Sequence, residues 1–406
     1  MHSAARTLTG EDELGTIEVR LDAGSSVEVE RSVFTALFDA SVVASRAPYL
    51  HALERSRIKF DDLVKLARIA DIPYSLVFAP LEAVERQLQK KSDTLLAGVS
   101  KDAFSLNSRS EVRLRDVELI VKDLLRKQEL LKKLDDTLVK NAVVGCLRGS
   151  RDSVAGDAAR LRDVLGFTLT DVKAAKKKSA ALDLLIGRFE AKQLLVSQSQ
   201  QDFMPQRLPR HAKFSGLCVR DKKVPFIFLT GGDAGANPEP AGRKLFTLVL
   251  LAVLVAQGKF APVTYDDHTA EQIVDREYEL AGEVLMPRLE VRELSASTLD
   301  GVVAGADVFK VTPSAFVMRA LRLGLISREK AEEHLEVLAA EFAKRPKRPA
   351  RRPRPENALR KYNGTEFSRR MVHQLDRGAI SQGEFRRVVL LNKLKATQIQ
   401  QFREAL

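Results

Sequence analysis

The stretch LFTLVLLAVLVAQG, Leu245 to Gly258, restricts what this chain can fold into more than any other segment. From Leu245 to Ala256 it carries no charge, and Thr247 is its one polar residue. A membrane span takes roughly 20 apolar residues, so the run is too short to cross a bilayer. A helix that is apolar on every side must then be enclosed by protein. Other elements have to cover all of its faces, which places this segment at the centre of a core. The composition allows this: 45% of the 406 residues are apolar, only 6% are aromatic and there is no Trp, so the cores are aliphatic. A chain of this length is expected to form about two to four compact units.

The remaining global features narrow the class. The N-terminal MHSAARTLTGEDELG lacks the apolar stretch of a secretory signal. The two cysteines, Cys146 and Cys218, have no metal-like spacing and read as small core residues of a reducing compartment. A cytoplasmic protein without a membrane segment is the expectation. The balance of 66 basic and 54 acidic residues, a net +12, favours anionic partners such as nucleic acid or an acidic protein.

Along the chain, TIEVRLDAG reads as a strand ending in a turn and SVEVERSVFTALFDAS as a helix, with no fold assignable to residues 1–45. In residues 46–90, Leu63, Leu66, Ala67 and Ala70 mark one face of a helix that stops before Pro73. Residues 91–154 read as a helical scaffold built on the amphipathic DVELIVKDLLRKQELLKKLDDTLVK. Residues 155–300 are mixed: KKKSAALDLLIGRFEAKQLLVSQ is a helix leading into a strand, and FSGLCVRDKKVPFIFLTGGD is two strands around Asp221-Lys222-Lys223. The Leu245 helix follows, then TAEQIVDREYELAGEVLMP, a helix ended by Pro287. Residues 301–342 and 357–406 are helical and weakly repetitive: each holds a helix, then Gly-x-Ile-Ser, then a helix, with Gly324 and Gly378 ending one helix and Ser327 and Ser381 capping the next. Each pair reads as a helical hairpin or a helix-turn-helix. Between them, residues 343–356 form a stiff cationic linker rich in proline, containing Lys344, Arg345, Lys347, Arg348, Arg351, Arg352 and Arg354.

Catalytic signatures are missing. There is no G-x-S-x-G elbow, GGDAGANPEPAGRK lacks phosphate-loop spacing, and no two of the six histidines stand four apart. Asp266, Asp267, His268, Glu271 and Asp275 form an acidic cluster that reads as a solvated helix start, with a relocated metal site as the alternative.

The order of elements is more specific. A strand ends at Leu229, Arg243-Lys244 leads through Phe246-Thr247-Leu248 into the apolar helix, and a later helix closes in Leu285-Met286-Pro287. This resembles the ImmA/IrrE family of zinc metallopeptidase-like proteins, most strongly over Phe214 to Arg288. LVKLARIADIPYSLVFAP is similar to the end of the Xre-type helix-turn-helix fused ahead of such domains, which makes residues 46–90 its remnant. The resemblance implies an α+β, predominantly helical fold with a small sheet packed on a zincin-like core helix. It also puts the family's H-E-x-x-H ligands and general base at Leu250, Leu251 and Leu254, and its third ligand at Val274, or at Asp275 with a one-residue slip. No leucine or valine has a lone pair for Zn²⁺ or a site to take a proton from water. The resemblance therefore implies a pseudo-metallopeptidase with no cofactor, a regulator that binds a protein partner such as a toxin or a repressor. Nucleic-acid binding through the linker and tail helices, and a metallopeptidase with a relocated site, are the alternatives.

Overall fold

The computed structural model describes residues 15–21, 24–39, 41–44, 46–97, 114–208, 214–231, 239–264, 276–344 and 353–406. Over these residues the protein is α+β and mostly helical, with one three-stranded and one four-stranded sheet, both mixed. It divides into two compact units, Met1–Ala97 with Arg113–Lys122, and Gly98–Val112 with Asp123–Leu406.

In the first unit, β1 (Thr16–Arg20) and β2 (Ser26–Glu30) pair antiparallel, with Ile17 opposite Val29 and Val19 opposite Val27. The segment SVEVE, expected to be helical, is thus a strand. Its valines alternate with acids at period two and suit a pleated edge, so pairing with β1 wins over a helix. The helix α1 begins only at Arg31 and runs to Asp39, burying Val33, Phe34, Leu37 and Phe38. After α2 (Ala47–Arg55), β3 (Arg57–Lys59) returns parallel to β1. Residues 15–45 and 46–90 therefore share one sheet, and no domain boundary lies at residue 45. The unit continues with α3 (Phe60–Ala70), which ends on Asp71 in the left-handed region (φ 54°) just ahead of Pro73. A 3₁₀ turn (Tyr74–Phe78) and α4 (Leu81–Ala97) follow. Phe34, Phe38 and Tyr49 form a ring cluster at its centre. The helix α5 (Leu114–Leu134) gives its residues through Lys122 to this unit, where Lys122 Nζ lies 2.8 Å from Asp71 Oδ2.

The second unit takes up α5 from Asp123 and adds α6 (Val154–Leu165), α7 (Leu169–Ala174) and α8 (Lys178–Ala191). Its sheet has the order β4-β6-β5-β7, built from β4 (Leu195–Gln198), β5 (Phe214–Val219), β6 (Phe226–Leu229) and β7 (Pro262–Thr264). The β5–β6 hairpin turns at the residues expected: Asp221 Oδ1 accepts the Lys223 and Val224 amides at 2.7 and 2.9 Å, which sets the turn. The apolar run is α9 (Ala241–Gln257), packed on β5 and β6 and flanked by α8 and by α10 (Arg276–Leu285). Short α11 (Arg288–Arg292) and α12 (Leu299–Val308) precede the first helix pair, α13 (Pro313–Arg322) and α14 (Arg328–Lys344). After the linker come α15 (Pro355–Asn363), the second pair α16 (Thr365–Asp376) and α17 (Gln382–Val388), and α18 (Ile399–Glu404). Gly324 and Gly378 take φ of 68° and 71°, and the Ser327 and Ser381 hydroxyls accept the Lys330 and Glu384 amides at 3.2 Å. In both copies a helix, a glycine turn and a serine-capped helix follow in that order.

Residues 357–406 do not form a free-standing tail region. Helix α15 lies against β4, α16 against α8, and the Phe367 ring against Phe226 on β6. Among the described residues no single helix is long and apolar enough to cross a membrane.

Candidate functional site

Twelve residues of α9 are buried, including every residue from Thr247 to Ala256. The helix has no side-chain cap at its start, so packing holds it rather than local hydrogen bonds. It stops at Gly258, in the left-handed region at φ 75°, where Lys259 donates to the Leu254 carbonyl at 2.8 Å. The sheet approaches it closely at Gly216: a Cβ there would stand 2.5 Å from the Phe228 carbonyl oxygen and 2.9 Å from Leu251 Cδ1. Only glycine lets β5 pass at that distance, next to the irregular register between Phe214 and Gly216.

The three positions that the resemblance would equate with a zinc motif face into this core. Leu250, Leu251 and Leu254 are 2%, 0% and 7% exposed. Each fully buried leucine contributes about 1.5–3 kcal/mol of apolar burial, and none can ligate a cation. Val274, the fourth position, lies outside the described residues, as do Asp266, Asp267, His268, Glu271 and Asp275. Among the described residues no three His, Cys, Asp or Glu side chains converge as metal ligands. The buried Cys218 thiol sits among apolar neighbours and burial pushes it up to about 12, so it is not a nucleophile.

The basic residues are divided in fate. Lys173 is on α7, Lys178 opens α8, and Lys176 and Lys177 occupy the turn between, so these four lysines do not share one helix. Lys173 is paired with Glu290 and lies 5.1 Å from the Phe309 ring centre, while Lys178 meets Asp307 at 2.7 Å. Of the linker cations, Lys344 is exposed at the end of α14 and Arg354 is exposed just ahead of α15. Arg345, Lys347, Arg348, Arg351 and Arg352 lie outside the described residues. A surface cleft of about 640 Å³ is lined by Asp202, Phe203, Arg207, Pro355 and Lys393, and the Arg207–Asp202 pair at 2.7 Å neutralises part of it.

Buried polar chemistry in this unit includes two clusters that the sequence did not reveal. On α5, Lys127 is fully buried, with Nζ 2.8 Å from Asp123 Oδ2 and 4.0 Å from the centre of the Tyr362 ring. The Tyr362 hydroxyl donates to the same Asp123 Oδ2 at 2.7 Å. Burial drives the Lys127 ammonium below its usual range, and the Asp123 charge only partly offsets this. Burial would raise the Asp123 carboxyl, yet Lys127 and Arg126 outweigh it and hold it low. At the end of α10, Glu283 pairs with buried Arg319, whose Nε donates to the Met286 carbonyl at 3.0 Å. Glu283 also accepts the Arg288 amide at 3.2 Å, and Arg162 donates to the Glu283 and Val284 carbonyls at 3.2 Å. These groups pair around the Leu285-Met286-Pro287 turn, with Arg319 Nη1 left without a partner among the described residues. In the sequence, Asp123–Lys127 has the i, i+4 spacing of an ordinary solvated pair, so nothing there marks it as buried.

Comparisons with protein-family models, with curated proteins and with solved structures return no match to this chain.

Proposed function

We propose that this protein is a degenerate member of the ImmA/IrrE-type metallopeptidase-like family, a pseudo-metallopeptidase that binds a protein partner without cutting it. The observation that carries the reading is the helix α9: a strand hairpin precedes it, a helix ending in Leu285-Met286-Pro287 follows it, and Leu250, Leu251 and Leu254 fill the ligand positions with buried hydrocarbon. On this reading the first unit retains part of an Xre-type module, and the second is a zincin-like domain whose metal cleft has become core. A scaffold of that kind holds a toxin or a repressor, as an antitoxin or as part of phage or mobile-element immunity control, in the cytoplasm.

Metal analysis of the purified full chain, with and without chelator, is the first test. The expected result is no stoichiometric zinc or manganese and a melting temperature that chelator leaves unchanged. A bound metal lost on His268→Ala, or a cleavage activity that chelator abolishes, overturns it. The second test is titration against the product of the adjacent gene in the native host. Saturable binding of the intact partner without proteolysis is expected.

One observation favours nucleic-acid binding as a second reading. Lys173 and Lys178 are committed to ion pairs, whereas Lys344 and Arg354, at either end of the cationic linker, stand exposed. A gel shift that weakens log-linearly with salt, and that is lost on neutralising residues 344–354, is its signature.

A further inference from the structure

Glu190 occupies the last turn of α8 and faces the junction between α15 and α16. The side chain is 4% exposed. Its Oε2 accepts the amide of Glu366, 176 positions later, at 3.2 Å. Helix α16 has no side-chain cap from its own flank, because its N-cap is Gly364 at φ 87°. A Cβ at Gly364 would stand 2.6 Å from Glu190 Oε1 and 2.8 Å from the Val196 carbonyl oxygen, so the carboxyl packs directly on that glycine. Oε1 has no hydrogen-bond partner among the described residues. A carboxyl on one helix thus caps another across a buried contact. That is a costly place for a full negative charge and a comfortable one for a neutral acid.

We propose that Glu190 is a proton-operated latch. In its neutral form it keeps residues 355–406 seated on α8 and β4, and on ionisation it lets them loosen. The proposal does not depend on the family reading above.

The surroundings set the direction. Burial pushes the Glu190 carboxyl up to about 7, the Glu366, Val196 and Thr365 amides pull it down, and the Glu366 charge adds to the rise. Few other charges face it. On α16, Arg370 is drawn to Glu366 at 2.8 Å and to Asp135 at 2.7 Å. The strand β4 carries no charge, and neither does α9 between Leu245 and Ala256. On α7, Asp171 caps its own helix and Lys173 pairs with Glu290. On α8 itself Asp183 and Arg188 point to solvent, and on α15 Arg360 donates to the Ala405 carbonyl while Lys361 is exposed.

The linkage follows in sign. Released into water, the carboxyl returns to its ordinary value of 4.5, whereas docked it titrates near 7. The docked state holds the extra proton, so the latch is fully engaged below the first value and is lost as pH rises through the second.

Hydrogen exchange on the full chain, from about pH 5 to about pH 9 and corrected for intrinsic rates, reads the opening. In the wild type the opening constant of peptides from α15 and α16 is expected to rise by about tenfold per pH unit and to level off above about pH 7. Peptides from α9 should show no such slope. Glu190→Gln keeps an acceptor but cannot ionise, and its α15–α16 peptides should be flat with pH. A slope that survives in E190Q, a flat wild type, or the same slope across α9 overturns the latch. If E190Q does not fold, Glu190→Asp, which withdraws the carboxyl by one methylene, must move the midpoint; an unmoved midpoint overturns it equally.

Discussion

Helix α9 and the seam that seats residues 355–406 are both deeply buried, but different forces hold them. Along the middle of α9 the packed side chains are hydrocarbon: Leu248, Val249, Leu250, Leu251 and Val253 pack against the sheet and against α8 and α10. In the seam, buried polar groups face one another: Asp123, Lys127 and Tyr362, the Ser197 hydroxyl on the Tyr362 carbonyl, Arg370 on Asp135, and Glu190 on α16. Apolar contacts are non-directional and indifferent to pH, so α9 tolerates any side chain of the right volume. Polar contacts in a dry seam are directional and stable only as complete sets, because losing one partner leaves the other desolvated and alone. The first kind of burial fixes a core. The second fixes a particular arrangement and makes it conditional.

The sharpest way to break this contrast is at Lys127. Removing one member of the pair, as in Asp123→Asn or Lys127→Met, should destabilise the protein by about 3–5 kcal/mol, because a lone buried charge remains. The double variant D123N/K127M should regain most of that loss in urea unfolding, an interaction energy that two unrelated sites would not show. Additive losses would mean the seam behaves like α9.

Next in size is Leu251→Ala, expected to cost about 2–5 kcal/mol through lost burial and the cavity left behind. Leu251→Met should cost under about 1.5 kcal/mol, and both effects should be the same at acid and neutral pH. Gly216→Ala should cost about 1–3 kcal/mol, since its Cβ meets the Phe228 carbonyl and cannot be relieved by a rotamer change. The smallest effect belongs to the surface: Lys173→Ala, which breaks a half-exposed pair with Glu290, should change the unfolding midpoint by under about 1 kcal/mol, and less at high salt.

Residues governed by one strong local rule were readable in advance. The length and uniform greasiness of Leu245 to Ala256 imply an enclosed helix, and it is enclosed. Asp221 with its two lysines implies a hairpin turn, and Gly324, Ser327, Gly378 and Ser381 mark helix ends at the right places. SVEVE escaped because five residues of alternating Val and Glu sit directly against a helical phrase, and only the partner TIEVR decides between the two. The α5 segment was readable as an amphipathic helix. In the structure its buried face also takes in Glu118, Asp123, Lys127 and Gln128, and distant segments meet two of them: the Tyr362 hydroxyl at Asp123 and the Val224 carbonyl at Gln128. A side chain that is buried only because something 239 positions away meets it leaves no local mark. Leu250, Leu251 and Leu254 were readable as core leucines from the uniform apolar run around them, and they are buried.

The distance between Asp123 and Tyr362 has a consequence for how the chain is made. During synthesis α5, α8 and β4 leave the ribosome long before residues 355–406 exist, so Lys127, Asp123 and Glu190 must stay hydrated in the meantime. Native assembly of the second unit waits for the final helices. Chains interrupted before residues 355–406 are complete should linger half-built, prey to chaperones and proteases rather than merely shorter.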